Sequence, residues 1–174
     1  MNRLIKKLHF YGLKKRWCLY LVNKVYVGAA HFEKKRKLLN SIGMNIGANT
    51  KVVGPIECLG TLIVGENCWI GKNFKVNGNG CVTIGNNCDI GPEVTFNTGG
   101  HEIGCSTRRA GKGCLFSQTV GSGTWIGGRS TILNNANIGK SCVIASCACV
   151  VKDVSDNSLV GGVPARLIRS LSDE

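Results

Sequence analysis

One histidine stands apart. His101 is the only histidine outside the first 31 residues, and Gly99 and Gly100 precede it directly. Histidine is the side chain whose ordinary titration range lies near neutrality, so it can take a proton from a hydroxyl or amine nucleophile. A loop histidine without a chemical role fits the same residues, and both readings stand at this point. Other chemistries lack their parts. A three-histidine zinc site needs more than one histidine on the scaffold, and the ten cysteines form no C-x-x-C pair; Cys147 with Cys149 is only C-x-C. No metal is expected. A G-x-S-x-G elbow and a phosphate-binding G-x-x-x-x-G-K loop are absent.

The elements that position His101 follow from a repeat. Branched aliphatics recur every six residues at Val120, Ile126, Ile132, Ile138, Ile144 and Val150. The same beat runs through Ile46, Val52, Cys58, Val64, Ile70 and Val76, then Ile84, Ile90 and Phe96, giving fifteen hexads in three runs. A six-residue period suits short strands that turn sharply and stack as a solenoid. Three hexads make an 18-residue triangular coil, so the chain predicts a parallel β-helix of about five coils, of unspecified hand. The glycine after many beat residues is expected to relieve the turn conformation. Small residues four positions on, among them Cys68, Cys88, Thr124 and Cys142, are expected to pack inward, the thiols as compact hydrophobes.

The beat slips twice. From Val76 it returns at Ile84, two residues late, so Asn77 to Cys81 form a bulge. Residues 98–119 (TGGHEIGCSTRRAGKGCLFSQT) then leave the repeat altogether. A connection this long with no structure of its own is generally functional or disordered. His101 heads it.

Residues 1–40 hold eleven Lys/Arg against Glu33 alone, a net of +10 out of the +12 of the chain. Leu4, Ile5 and Leu8 have helical spacing, Gly12 is expected to interrupt the segment, and the apolar stretch from Trp17 is too short to span a bilayer. The segment reads either as a cap on the open end of the solenoid or as a basic amphipathic helix on an anionic membrane surface. No nucleic-acid motif accompanies the charge. With no secretory signal evident, the cysteines read as reduced and the protein as cytoplasmic, with peripheral contact at the inner membrane face through residues 1–40.

Several ordered stretches then resemble the hexapeptide-repeat acetyltransferases: VTIGNN at 82–87, TGGH at 98–101, WIGG at 125–128, VIASCACVVKDV at 143–154 and LVGGVPARLIR at 159–169. The pattern is similar to the galactoside and maltose O-acetyltransferases over residues 42–171. This resemblance implies an all-β, left-handed β-helix domain (41–155), a protruding loop (98–119), and a C-terminal tail (156–174) that closes the coenzyme A site. It implies a homotrimer with sites between subunits and acetyl-CoA as acyl donor. His101 falls on the catalytic histidine of that family. Arg108 and Asn79 fall on acceptor-side positions, and Asn79 departs from the acidic residue usual there. Trp125 would line the cofactor channel, Gly128 and Ser146 would meet the pantetheine arm, and Lys152, Arg166 and Arg169 would face phosphates.

The basic N-terminus and Asn79 lean toward the branch that resembles capsule and colanic-acid acetyltransferases, hence a sugar hydroxyl in surface-polysaccharide biosynthesis. A serine O-acetyltransferase is the alternative enzyme, though residues 1–40 do not supply its large helical domain. A non-catalytic trimeric β-helix assembly protein is the alternative of a different class.

Overall fold

The computed structural model describes residues 3–172, with side chains from residue 12 onward. The chain is a three-sided parallel β-helix. Its first face stacks Asn45–Ile46, Thr61–Val64, Cys81–Ile84 and Ser117–Val120, continued by single bridges at Ile138 and Val154. The second face stacks Lys51–Val52, Trp69–Ile70, Asp89–Ile90, Trp125–Ile126, Val143–Ile144 and Ser158–Gly161, and an antiparallel strand, Arg166–Ser170, closes it. The third stacks Ile56–Cys58, Phe74–Asn77, Thr95–Asn97, Thr131–Ile132 and Cys149–Val150. Five strands on the third face match the expected coils. The second face reaches six parallel strands because Ser158–Gly161, in the C-terminal tail of the sequence reading, continues the repeat.

Each beat residue points inward and lies on its counterpart one coil away, as Val52 on Ile70 and Ile126 on Ile144. The resulting column is buried from Ile46 to Val150. Burial of such aliphatics contributes about 1.5–3 kcal/mol per side chain, the main term holding the stack.

The glycine after the beat residue has a different cause from the one its sequence suggests. Gly47 and Gly121 are not among the residues with positive φ. A Cβ on Gly47 would lie 2.6 Å from the Gly65 backbone, and one on Gly121 would lie 2.5 Å from the Gly139 backbone. These glycines permit close stacking of coils. The left-handed conformation falls two residues later, on Asn49, Asn67, Asn87, Ser141 and Asn157, where the asparagine side chain tolerates it well.

The small residue that ends this first corner is also more than a space filler. Thr50 Oγ1 donates to the Gly65 carbonyl at 2.7 Å, Cys68 Sγ to Gly85 at 3.1 Å, Cys88 Sγ to Gly121 at 3.3 Å, Thr124 Oγ1 to Gly139 at 2.9 Å and Cys142 Sγ to Ser155 at 3.1 Å. Each donor reaches the next coil. In return Thr50 and Thr124 accept the backbone N–H of Cys68 and Cys142 at 3.0 and 3.1 Å. Burial pushes the Cys142 thiol up and so keeps it protonated as a donor.

Helix α1 (Arg3–Tyr20) runs through Gly12 without interruption and ends in a π-type turn, Leu21–Val25. The side chains of Leu4, Ile5 and Leu8 lie outside the described residues. Helix α2 (Phe32–Asn40) lies across the first coil, with Leu39 fully buried in the core. Lys35, also fully buried, donates to the Gly28 and Val53 carbonyls at 2.6 and 2.7 Å, and burial lowers its pKa. The cap is therefore structural: it covers the open end of the solenoid. Among the described residues no helix is long and apolar enough to cross a membrane.

Thr124→Val keeps the shape of the corner but leaves the Cys142 N–H and the Gly139 carbonyl without their side-chain partner. The substitution will cost about 1–3 kcal/mol in urea denaturation, whereas Thr124→Ser will cost less than half as much.

Candidate active site

The two slips of the beat meet at one place. First and second corners always advance six residues between beat positions, for instance Ile46 to Val52 and Val52 to Cys58. The third corner advances six, eight, twenty-four, six and four residues, from Cys58 to Val64, Val76 to Ile84, Phe96 to Val120, Ile132 to Ile138, and Val150 to Val154. All length variation therefore falls on one edge of the prism. The bulge and the excursion occupy adjacent coils on that edge.

The excursion has structure of its own. Gly99–Ile103 and Ala110–Leu115 pair as an antiparallel hairpin, with His101 opposite Gly113, and the chain is back in the stack by Ser117. His101 Nδ1 lies 2.9 Å from the Gly111 carbonyl of the opposite arm. A carbonyl can only accept, so Nδ1 carries the proton when the ring is neutral. Nε2 then holds a lone pair. This is the tautomer a general base needs, held by the backbone of the same hairpin.

Beside His101 a cavity of about 440 Å³ opens between hairpin and bulge, lined among others by Asn77, Asn79, Asn97 and Leu115. Asn77 Nδ2 donates to Asn97 Oδ1 at 3.2 Å. Among the described residues, no ionisable group other than the His101 imidazole and the Cys114 thiol faces this cavity. Three amides and glycine backbone suit a neutral, hydroxyl-rich ligand. The structure thus brings Asn79 to His101. It leaves Arg108 apart, at the far turn of the hairpin, where its N–H donates to the Cys105 carbonyl at 3.2 Å. Asn77 and Asn97 were not singled out from the sequence; the place of Asn77 at the start of the bulge and of Asn97 immediately before TGGH was the available signal.

The other expected site residues lie elsewhere on the chain. Trp125 projects from the second face and is 56% exposed, not packed under the loop. Gly128 and Ser146 occupy the second corner in successive coils; a Cβ on neighbouring Gly127 would lie 2.5 Å from the Ser146 nitrogen. Arg166 and Arg169 are exposed on the strand that closes the second face. Lys152, at the third corner, joins Arg166 around a cavity of about 570 Å³ at the C-terminal end, with Asp153 and Asp156. Among the described residues, none of these three cations is in an ion pair. No group of three or more potential metal ligands occurs among the described residues.

No family model matches the chain. Individual relatives do. Galactoside O-acetyltransferase of Escherichia coli K12 is 34% identical over 147 residues, covering 81% of this chain and 70% of that protein. A putative acetyltransferase of Saccharomyces cerevisiae is 36% identical over 116 residues, covering 63% and 59%. Among solved structures, a hexapeptide-repeat acetyltransferase from Vibrio cholerae superposes with a TM-score of 0.81 at 25% identity over 96% of this chain and 94% of that one. The Vibrio protein has also been solved with acetyl coenzyme A. A galactoside acetyltransferase in complex with coenzyme A gives 0.79 at 26% identity, over 99% and 86%. The β-helix is of the left-handed kind these enzymes share. With 34% identity to a galactoside O-acetyltransferase over 81% of its length and the same coil in the solved structures, the chain belongs to the hexapeptide-repeat acetyltransferases.

Proposed function

We propose that the protein transfers an acetyl group from acetyl-CoA to a sugar hydroxyl, with His101 as general base, in the assembly of a surface polysaccharide. The observation that carries this reading is the His101–Gly111 contact, which in the neutral ring places the lone pair on Nε2, in a side chain that lines a cavity of neutral amides. In the reaction the acceptor O–H loses its proton to Nε2 as the oxygen attacks the thioester carbonyl. The C–S bond then breaks, and coenzyme A leaves as the thiol after taking a proton back from the imidazolium. No covalent enzyme intermediate is required. Cys68, Cys88 and Cys142 are committed to the corner ladder, which argues against an acyl-cysteine at those positions.

The donor would lie along the second face and corner: Trp125 beside the acyl end, the backbone at Gly128 and Ser146 along the pantetheine arm, and Lys152, Arg166 and Arg169 toward the phosphates. Charge-assisted contacts from unpaired cations suit a ligand with several negative charges. Within one chain His101 leaves the prism at the third corner while Trp125 leaves from the opposite face. A site holding both therefore joins two copies, consistent with a homotrimer whose acceptor and donor halves come from neighbouring subunits. Asn79, a neutral amide, would hydrogen-bond the acceptor. Arg108, at the hairpin turn, would reach the acceptor held by a neighbouring copy.

His101→Ala will lower acetyl-CoA turnover with a panel of sugar acceptors by about 10²–10⁴-fold while leaving coenzyme A binding intact. Unchanged turnover would remove the histidine from the chemistry, and no turnover by the wild-type protein with any acceptor would favour the assembly-protein alternative. Turnover with serine but no sugar would favour a serine O-acetyltransferase. Cys147, exposed beside Ser146, reports on the donor half. Bound coenzyme A will slow its alkylation several-fold, and equal rates with and without ligand would exclude this corner from the donor site.

The same reading includes contact with an anionic membrane at the inner face of the cell envelope. The face of α1 toward the scaffold buries Cys18 and half-buries Leu19, yet the opposite face exposes Leu13, Trp17 and Tyr20 at helical spacing. Trp17 and Tyr20 stack at 5.7 Å, and exposed Arg16 and Lys24 flank them. An apolar outer face edged by cations, with no acidic residue in the helix, complements acidic headgroups. Trp17→Glu with Tyr20→Glu leaves the packed face untouched. The pair will abolish co-flotation with phosphatidylglycerol vesicles without changing turnover of a soluble acceptor. Equal flotation would end the membrane assignment.

A further inference from the structure

The bulge and the hairpin are separate in sequence, yet their backbones are joined by one buried side chain. Thr98 has no exposed surface. Its Oγ1 donates to the Asn77 carbonyl at 3.1 Å and accepts the Gly80 N–H at 3.1 Å, so one hydroxyl clasps both ends of the bulge that presents Asn79. The Thr98 backbone repeats the clasp. Its N–H donates to Asn77 at 2.7 Å, and its carbonyl accepts the Phe116 N–H at 2.9 Å, where the second hairpin arm returns. Three residues further on is His101.

The glycines of the bulge fit this joint. Gly78 has φ of +97°, and a Cβ there would lie 2.5 Å from the Gly99 nitrogen. A Cβ on Gly80 would run into the Phe116 carbonyl and the Thr98 side chain. The bulge therefore rests on both arms of the hairpin base. From inside the coil, buried Gln118 supports the same point. Its Nε2 donates to the Asn97 carbonyl at 3.2 Å, the Asn134 carbonyl at 2.8 Å and the Ile132 carbonyl at 3.3 Å. It is the one long polar side chain among the inward positions of the coils, and it sits where the hairpin is rooted.

We infer that Thr98 is a positioning residue for the acceptor: its hydroxyl fixes Asn79 on the bulge relative to His101 on the hairpin, and so sets which acceptor hydroxyl reaches Nε2. This inference rests on the reading of His101 as the base and deepens it. The two-residue slip after Val76 then has a purpose. A six-residue third corner in that coil would leave no Asn77–Gly80 arch for Thr98 to clasp.

Thr98→Val preserves volume and β-branching but removes both hydroxyl bonds, whereas Thr98→Ser keeps them. The Val variant will lower kcat/KM for the acceptor about tenfold or more, because a sub-ångström misplacement of reacting groups is costly, while KM for acetyl-CoA stays within about twofold. The Ser variant will recover most of the loss, and Thr98→Cys, a weaker donor of similar size, will fall between them. Hydrogen exchange over residues 77–81 will accelerate in the Val variant and not in the Ser variant. Three results would overturn the inference: acceptor kinetics of Val equal to wild type, Val and Ser equally impaired, or donor and acceptor constants changed alike. The exchange measurement separates the two layers. If His101→Ala retains turnover, the catalytic reading fails, while accelerated exchange in Thr98→Val still reports that the joint exists.

Discussion

The corner ladder of hydroxyls and thiols is the constraint on which the molecule depends. Coils stacked about 4.8 Å apart leave turn carbonyls facing the interior at every first corner, where water does not reach. Thr50, Cys68, Cys88, Thr124 and Cys142 each supply a donor short enough to stay inside the corner and long enough to reach the next coil. An alanine there would leave the carbonyl unpaired, and a valine would add bulk without a donor. A thiol meets both demands. The abundance of cysteine in a chain without metal-ligand spacing thus has a hydrogen-bonding cause as well as a packing one.

The ladder marks one of two corners that never vary, since the second corner also advances six residues throughout with a single comparable bond, from Ser130 to the Ala145 carbonyl. A corner whose every coil is tied to the next by side-chain hydrogen bonds tolerates neither an added nor a lost residue, and the first corner shows none. The third corner has no such ladder. It carries instead a leucine, a valine, Gln118 and an alanine at the inward position, from Leu62 through Val82 to Ala136. There the chain inserts two residues in one coil, a whole hairpin in the next, and drops two near the end. The hairpin that carries His101 sits on the one edge where the coils vary in length.

The ends of the solenoid are handled by different means. The N-terminal end carries α2, with Leu39 in the core and the Lys35 ammonium bonded to two backbone carbonyls and lying 5.3 Å from the Phe32 ring centroid. A buried cation without a carboxylate partner is costly unless its protons are all engaged, and here backbone oxygen takes the place of a counter-charge. Because this inner surface does the capping, the outer face of α1 is free of structural duty. Its aromatic and basic residues can be selected for contact outside the molecule, and residues 1–40 as a whole carry +10 of the net charge of +12.

What was legible in the sequence follows from the same physics. Beat residues such as Ile126 and Ile144 are read easily, because each must be apolar and each recurs at a fixed interval. The hairpin was legible only as a break, since Gly99–Ile103 and Ala110–Leu115 are exposed along most of their length and leave no hydrophobic period to find. The glycine after the beat was visible, but its cause was hidden: sequence shows that a Cβ is absent, not whether a dihedral or a neighbouring coil excludes it. Thr98 and Gln118 were invisible as partners because their bonds run to backbone atoms 16 to 21 residues away for Asn77, Gly80, Asn97 and Asn134. The cavity beside His101 carries this furthest. Amides such as Asn77, Asn79 and Asn97 both donate and accept, so residue type alone suits many arrangements of hydroxyls. Which arrangement these amides present rests on backbone placement, and hence on the length of the third corner.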